Sequence, residues 1–314
     1  MTTFTISHTY AMRPARIEDE QAIVDLINIT SVADGGDASY ELVDLRQEWQ
    51  ESNFNPETDT WVVVTPEGQL VGYEQVWDIG KGGKAQMDGY VHPDFKGLGI
   101  GTTLIRAAEQ RIREVMTIDQ AEIQVGVAAT DQQAQEMFEA HGFTVIRQFR
   151  RMMIDLPETL EPVEWPEGIT VRTFVVGQDE KATHATVQEA FADHWGFVPI
   201  SLEEWARERV STESFDASLW FLAIDGDEIA GVALCRQRGE YGWVNTLAVR
   251  RPWRKRGVGM ALLRHAFSEF HRRGERQVSL GVDGQSLTGA TRLYERAGMY
   301  TCEQYNTFGK QITK

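Results

Sequence analysis

The chain repeats itself, and this limits its possible folds more than any other feature of the sequence. Met12-Arg13-Pro14-Ala15 returns as Val171-Arg172-Thr173-Phe174, each ahead of an amphipathic helix pattern. Trp61-Val62-Val63-Val64 through Leu70-Val71-Gly72 returns as Trp220-Phe221-Leu222-Ala223 through Ile229-Ala230-Gly231. Val91 through Gly101 returns as Val249 through Gly259, and His141-Gly142-Phe143 returns as Ala297-Gly298-Met299. The offsets are 159, 159, 158 and 156 residues. A collinear repeat of this period in 314 residues is two copies of one domain, because a solenoid repeats every ~20–50 residues.

The joint between the copies is also legible. Residues 156–170 hold Pro157, Pro162 and Pro166 with four glutamates, a composition that predicts an extended linker. The expected domains are therefore 1–155 and 171–314, with 156–170 between them. Each copy reads as strand, helices, a strand hairpin, a glycine-rich turn into a helix, a strand, a second helix and final strands. Pro66-Glu67-Gly68 and Asp225-Gly226-Asp227 are the hairpin turns. Ile100, Leu104, Ala108, Ile112 and Val115 keep helical spacing after the first glycine turn. Val258, Leu262, Ala266 and Phe270 do so after the second, and Gly274 closes that segment. Strands alternating with helices predict an α/β or mixed α+β sheet.

Charge narrows the classes of partner. Residues 1–155 carry 12 basic against 25 acidic residues, net −13, and residues 156–314 carry 19 against 22, net −3. An acidic chain is a poor match for nucleic acid, which is bound by neutralising phosphates, and a better one for a cationic molecule such as an amine. The first fourteen residues lack a basic stretch followed by an apolar run, and the apolar runs are strand-length, so no leader or membrane span is expected. The expected place is the cytoplasm. Cys235 and Cys302 form no CxxC, and no HExxH occurs, so no metal is expected.

The second glycine turn, Arg254-Lys255-Arg256-Gly257-Val258-Gly259-Met260, follows an apolar strand ending at Leu247-Ala248-Val249 and opens a helix. Glycines allow the tight approach, and the first N–H groups of a helix are unsatisfied, so such a start binds anions. Arg250, Arg251, Arg254, Lys255 and Arg256 crowd it in a chain of net charge −16. A nucleotide P-loop needs GxxxxGK[ST], which neither turn has; a dinucleotide fingerprint needs a third glycine where Thr102 and Leu262 stand. The first turn, Lys96-Gly97-Leu98-Gly99-Ile100-Gly101, keeps the glycines with one cation and Asp94 beside it.

The pattern Arg254-x-x-Gly257-x-Gly259, followed by Ala290-Thr291-Arg292-Leu293-Tyr294-Glu295-Arg296-Ala297-Gly298-Met299, resembles the GNAT superfamily of N-acetyltransferases. The double-domain plan, with Phe191 to Gly196 ahead of Glu203-Glu204-Trp205, is similar to mycothiol synthase and its relatives. The resemblance implies two tandem domains, each a mostly antiparallel twisted sheet with a parallel central pair flanked by helices. It also implies acetyl-CoA as co-substrate, with its pyrophosphate on Arg254 to Met260 and its carbonyl on a backbone N–H among Leu247, Ala248 and Val249. Lys96, Gly97, Gly99 and Gly101 would be the counterpart in the first domain.

Acetyl transfer to an amine needs the amine neutral and a proton for the departing thiolate, since their pKa values lie near ~10 and ~8.5. Tyr294 fits the acid position that the resemblance implies; Phe138 stands in the equivalent place of the first copy and cannot donate. The first domain is accordingly expected to be degenerate and the second catalytic. Positions where the family often carries a glutamate hold Asn245 and Trp243, and neither is a base. The candidate catalytic set is Tyr294, Asn245 as occupant of that position, and His194, whose ordinary pKa near ~6.5 suits a base; Glu240, Asp283 and Asp193 are further candidates. Where the family often has Asn, the copies carry Asp131 and Leu287 or Ser286. The acceptor is expected to be a small-molecule amine and the protein a monomer or homodimer. A non-catalytic acyl-CoA sensor is the alternative.

Overall fold

A computed structural model describes residues 10–51, 54–79, 83–286 and 289–314. The first nine residues and Leu287 lie outside them. The chain forms two compact units: Met1–Gln148 with Glu303–Lys314, and Phe149–Cys302.

The first unit contains β1 (Ala11–Arg13), α1 (Glu20–Ala33), α2 (Leu42–Trp49), α3 (Pro56–Asp59), β2 (Thr60–Val64), β3 (Leu70–Trp77), β4 (Lys84–Val91), α4 (Ile100–Val115), β5 (Gln120–Ala128), α5 (Gln132–Ala140) and the start of β6 (Thr144–Asp155). The second contains the rest of β6, then β7 (Ile169–Thr173), α6 (Glu180–Phe191), α7 (Leu202–Arg209), β8 (Trp220–Asp225), β9 (Glu228–Arg238), β10 (Tyr241–Val249), α8 (Val258–Arg272), β11 (Gln277–Asp283), α9 (Ala290–Arg296) and the start of β12 (Tyr300–Thr313). In the first unit β4 and β5 run parallel, Lys84 opposite Glu122 to Met87 opposite Val125, and β1 to β4 are otherwise antiparallel. In the second, β10 and β11 are parallel at Gly242–Val278 and Trp243–Ser279, and β7, β8, β9 and β6 add antiparallel pairs. Each unit is thus the expected mixed sheet with one parallel pair.

The second unit shows why its hairpin strands read as nearly continuous apolar runs. Phe221, Ala223, Ala230, Ala233 and Cys235 pack under α8 with Leu262, Ala266 and Phe267. Trp220, Leu222, Ile229, Val232 and Leu234 pack on the other side with Ala190 of α6 and Trp205 of α7. A strand covered on both faces cannot alternate with polar residues. Helix α8 buries Val258, Ala261, Leu262, Leu263, Ala266, Phe267 and Phe270 along one stripe. It ends where Gly274 takes φ +95° and the N–H groups of Gly274 and Glu275 bond the carbonyls of His271 and Phe270.

Two expectations on domain limits are corrected. The units do not divide at 155 and 171: Glu303–Lys314 belongs to the first unit, where β12 pairs with β5 from Tyr305–Ala128 to Thr313–Gln120 and buries Phe308 and Ile312. In exchange, Phe149–Asp155 pairs with β11 in the second unit. Residues 156–170 are not a free spacer either. Leu156 is buried and its N–H bonds the Arg276 carbonyl at 2.7 Å, Leu160 and Trp165 pack on the second core, and Ile169 opens β7. Apolar residues every four or five positions give this proline-rich stretch a surface to cover.

Candidate active site

The parallel pairing of β10 and β11 stops at Trp243 and Ser279, while the strands run on to Val249 and Asp283. Among the described residues, one edge of β10 is therefore open. Orientation along it follows from one bond: the Arg250 N–H donates to the Ala230 carbonyl of β9 at 3.0 Å. Backbone direction alternates in a strand, so Ala248 also faces β9, and the N–H groups of Leu247 and Val249 face the open edge. Of the three residues expected to polarise a carbonyl, Ala248 is withdrawn into the sheet by this alternation. Asn245 is the extra residue of a β-bulge, since Val244 pairs with Cys235 and Thr246 with Leu234; its side chain is exposed.

The open edge runs into the start of α8. Gly257 is its N-cap at φ +90°, with no side chain capping it, and the first intrahelical bond is Ala261 N–H to Gly257 O. The N–H groups of Val258, Gly259 and Met260 precede that bond and have no partner within the helix. Lys255 also holds a left-handed φ of +63°, uncommon away from glycine. Val258 is a core residue by its side chain, so its backbone alone serves the loop. A Cβ on Gly259 would lie 3.5 Å from Val249 and 3.8 Å from Leu293, so the end of β10, the start of α8 and α9 converge there.

The cations of this loop divide into two groups. Arg250 pairs with Glu189 at 2.7 Å and Glu228 at 2.8 Å, and Arg251 with Asp193 at 2.7 Å. These two are internally neutralised, and Asp193 is spent as a base candidate. Arg254 donates Nε to the Val249 carbonyl and Nη2 to the Ala190 carbonyl, 3.1 and 3.0 Å, so it braces the loop against α6, and no carboxylate among the described residues pairs with it. Arg256 lies 3.7 Å from Asp225 and is half exposed; Lys255 is exposed. Sequence counting registered five cations but not which acids would claim them; the signal was present in Glu189 near the end of α6 and Asp193 just beyond it, four residues apart.

Tyr294 sits on α9 within the core beside Met299, 8% exposed, and burial pushes its hydroxyl up to about 12. The hydroxyl bonds none of the described residues. His194 lies in the α6–α7 loop with its ring 4.3 Å from Phe191. Its pKa is lowered by burial and by Arg254, against the opposing pull of Asp283 and Asp193. Glu240 is misplaced as a base: it lies in the turn at the far end of β10, nine residues and ~30 Å of extended strand from Val249.

The first unit repeats the backbone without the charge. Gly97 and Gly99 have φ +80° and +81°, and Gly99 caps α4 without a side-chain bond. Lys96 is held by Asp131 at 2.7 Å and Asp34 at 3.3 Å, and a Cβ on Gly101 would meet Met137 Sδ at 2.8 Å. Phe138 fills the tyrosine position, edge-on to Phe143 at 5.2 Å.

The sequence profile described as the acetyltransferase (GNAT) family matches residues 21–143 and 184–299, one stretch in each unit. The chain belongs to the GNAT acetyltransferase family. It is an N-acetyltransferase of the tandem kind. A mycothiol acetyltransferase of Streptomyces bingchenggensis is 32% identical over 76% of both chains. A solved GCN5-related N-acetyltransferase from Sphaerobacter thermophilus is 35% identical, covers 99% of this chain and 98% of its own, and superposes with a TM-score of 0.84. A tandem GNAT protein from the clavulanic acid pathway shares the fold at 17% identity and TM-score 0.72, covering 96% and 98% of the two chains. Among the described residues no helix is long and apolar enough to cross a membrane, and no group of three potential metal ligands occurs.

Proposed function

We propose that the second unit transfers an acetyl group from acetyl-CoA to the primary amine of a small molecule, and that the first unit is a degenerate copy without transferase activity. One observation carries the reading: the open β10 edge at Leu247 and Val249 leads into an uncapped helix start flanked by Arg254, Lys255 and Arg256, with α9 beside it. The α8 N–H groups of Val258, Gly259 and Met260, with Gly257 and the cations, suit a pyrophosphate. The outward N–H groups of Leu247 and Val249 suit the amide chain and the carbonyl of an acyl thioester, as a paired strand would. Acetyl-CoA, when bound, supplies the activated acyl group.

Tyr294 gives the departing sulfur its proton. A hydroxyl pushed up to about 12 stays protonated throughout the neutral range, so the donor form is always present. The mycothiol acetyltransferase relatives make the amine precursor of mycothiol the first acceptor to try, ahead of a wider amine library. The test is thiol release from acetyl-CoA with these acceptors; release by the intact protein that disappears in a Gly257→Glu variant is expected. Release that persists in that variant and disappears in Gly99→Glu would transfer the activity to the first unit.

A further inference from the structure

The first unit encloses a polar group that its copy does without. Tyr73, Gln75, Asp88 and Tyr90 lie on the face of β3 and β4 that α1 and α2 cover, with Tyr73 opposite Tyr90 and Gln75 opposite Asp88. The second unit builds the same strands with Val232, Leu234, Thr246 and Ala248 at these places, so the fold does not require the polar side chains. Trp49, Tyr73, Tyr90 and Tyr40 pack on one core. Tyr40 is clamped by Asn28 of α1, whose side chain accepts the Tyr40 N–H at 3.0 Å and donates to its carbonyl at 2.9 Å. Glu48 of α2 accepts from Gln75 Nε2 at 2.9 Å, and Gln75 accepts from Tyr73 at 2.8 Å. Asp88 accepts from Tyr90 at 2.8 Å. Both carboxyls thus neighbour Gln75, and no cation among the described residues pairs with either. The Tyr40 hydroxyl is buried beside Glu48, Tyr73 and Tyr90 without a hydrogen bond of normal geometry. Glu48, Asp88, Tyr40 and Tyr90 all keep part of their surface exposed, although burial is the largest influence on the titration of each. Groups ringed by protein that still reach solvent line a recess.

We propose that this recess of the first unit binds an organic ammonium ion, held by Glu48 and Asp88 among the rings of Tyr40, Trp49, Tyr73 and Tyr90. Aromatic rings attract a cation through their electron-rich faces, and the carboxylates supply the opposite charge and strong acceptors for its N–H groups. The ligand takes the place of the missing cation and offers an N–H to the Tyr40 oxygen. A hard metal ion would need further oxygen ligands where the rings stand, and a neutral alcohol would leave both carboxyls uncompensated. The site is separate from the acetyl transfer proposed for the second unit and does not depend on it. Facing Glu48 are Asp44 of its own helix, Asp88 of β4 and Tyr40; facing Asp88 are Tyr90 of its own strand and Tyr73 and Glu74 of β3. Burial lifts Glu48 to about 7 and Asp88 to about 6, so both are charged toward pH 8 and a cation binds more tightly there than at pH 5.

Calorimetric titration of the intact protein, without acetyl-CoA, with n-butylammonium chloride and with n-butanol tests the site. Saturable binding of butylammonium at pH 8 is expected, weaker by at least about tenfold at pH 5, with no saturable binding of butanol. Glu48→Gln and Asp88→Asn keep the size of each side chain and an oxygen for its present donor; each should weaken the binding at pH 8 at least about tenfold, ~1.4 kcal/mol. The Trp49 indole N–H, which donates to Tyr73 at 3.1 Å, reports on the place: its NMR resonance, assigned through Trp49→Phe, should shift as butylammonium is added. Equal binding of butanol, an affinity unmoved by pH or by both substitutions, a Trp49 resonance that stays in place, or binding of calcium without binding of butylammonium overturns the assignment. If either variant loses its native circular dichroism, the pH dependence and the Trp49 shift in the intact protein decide.

Discussion

The two glycine loops share a backbone and differ in their charge. Gly97 and Lys255 stand at equivalent places with φ +80° and +63°, and Gly99 and Gly257 cap their helices at +81° and +90°. Around that common turn, Lys96 is locked between Asp131 and Asp34, whereas Arg254 bonds carbonyls, Lys255 is exposed and Arg256 faces Asp225 at 3.7 Å. The helix-covered faces differ in the opposite sense. Val232, Leu234 and Ala248 are core residues of the second unit, while Tyr73, Gln75 and Tyr90 occupy the same places in the first. There Trp49 donates to Tyr73, Tyr73 to Gln75, Gln75 to Glu48, and Tyr90 to Asp88. Fold is held by glycine conformation and apolar pattern, which both copies retain. Chemistry depends on a handful of side chains, and these have diverged.

The sharpest way to break the comparison is to place the same insult in both loops. Gly257→Glu puts a carboxylate and an unfavourable left-handed conformation where an anion is to bind, and kcat/KM should fall by at least about a hundredfold, ~2.7 kcal/mol. Gly99→Glu should leave kcat within about twofold once circular dichroism shows the unit folded. Equal losses would mean that both loops bind the co-substrate.

Next comes the hydroxyl. Tyr294→Phe removes the proton donor with little change in packing, and kcat should fall at least about tenfold. Phe138→Tyr should add no activity, since its ring is already packed between Phe143 and Phe308. Full activity in Tyr294→Phe would remove the tyrosine from the chemistry.

Charge reversal gives a smaller effect. Lys255→Glu with Arg256→Glu should raise the CoA dissociation constant about tenfold, ~1.4 kcal/mol, and the effect should shrink with added salt. Lys96→Glu should leave CoA affinity unchanged by calorimetry and lower the stability of the first unit by about 1–2 kcal/mol, because Asp34 and Asp131 lose their cation.

The smallest difference is one of pH. Burial pushes Glu48 up to about 7 and Asp88 up to about 6 in the first unit. A carboxyl whose folded pKa is raised binds its proton more tightly when folded, so its contribution is present below the unfolded value near 4.5 and is lost as pH rises through about 7. The stability of the first unit to thermal unfolding should therefore fall by on the order of 1 kcal/mol between pH 5 and pH 8, and Glu48→Gln should flatten that slope. A slope unaffected by the substitution would place the titration elsewhere.

Much of this architecture could be read in the sequence. The duplication, the glycine turns, the stripe of α8 and its Gly274 terminus are local patterns, and local patterns survive in one dimension. The partners of charges do not. Arg254 was counted with four other cations, yet its bonds go to carbonyls of Val249 and Ala190, the latter 64 residues away. The bulge that exposes Asn245 depends on register against β9, and the packing of residues 156–170 depends on the surface that α8 offers. The polar face of the first unit was missed because Tyr73, Gln75, Asp88 and Tyr90 alternate like an ordinary solvated strand face.

The exchange of strand ends sets an order of events at the ribosome. When the first 155 residues have emerged, the β5 edge still lacks its partner and the core lacks Phe308 and Ile312. An open edge and an unfilled core invite chaperones or aggregation, so the nascent first half must wait through the synthesis of the whole second half. The N-terminal half is thus completed only by a strand made after the second half, and neither half, cut at the sequence joint, holds all the strands of a unit.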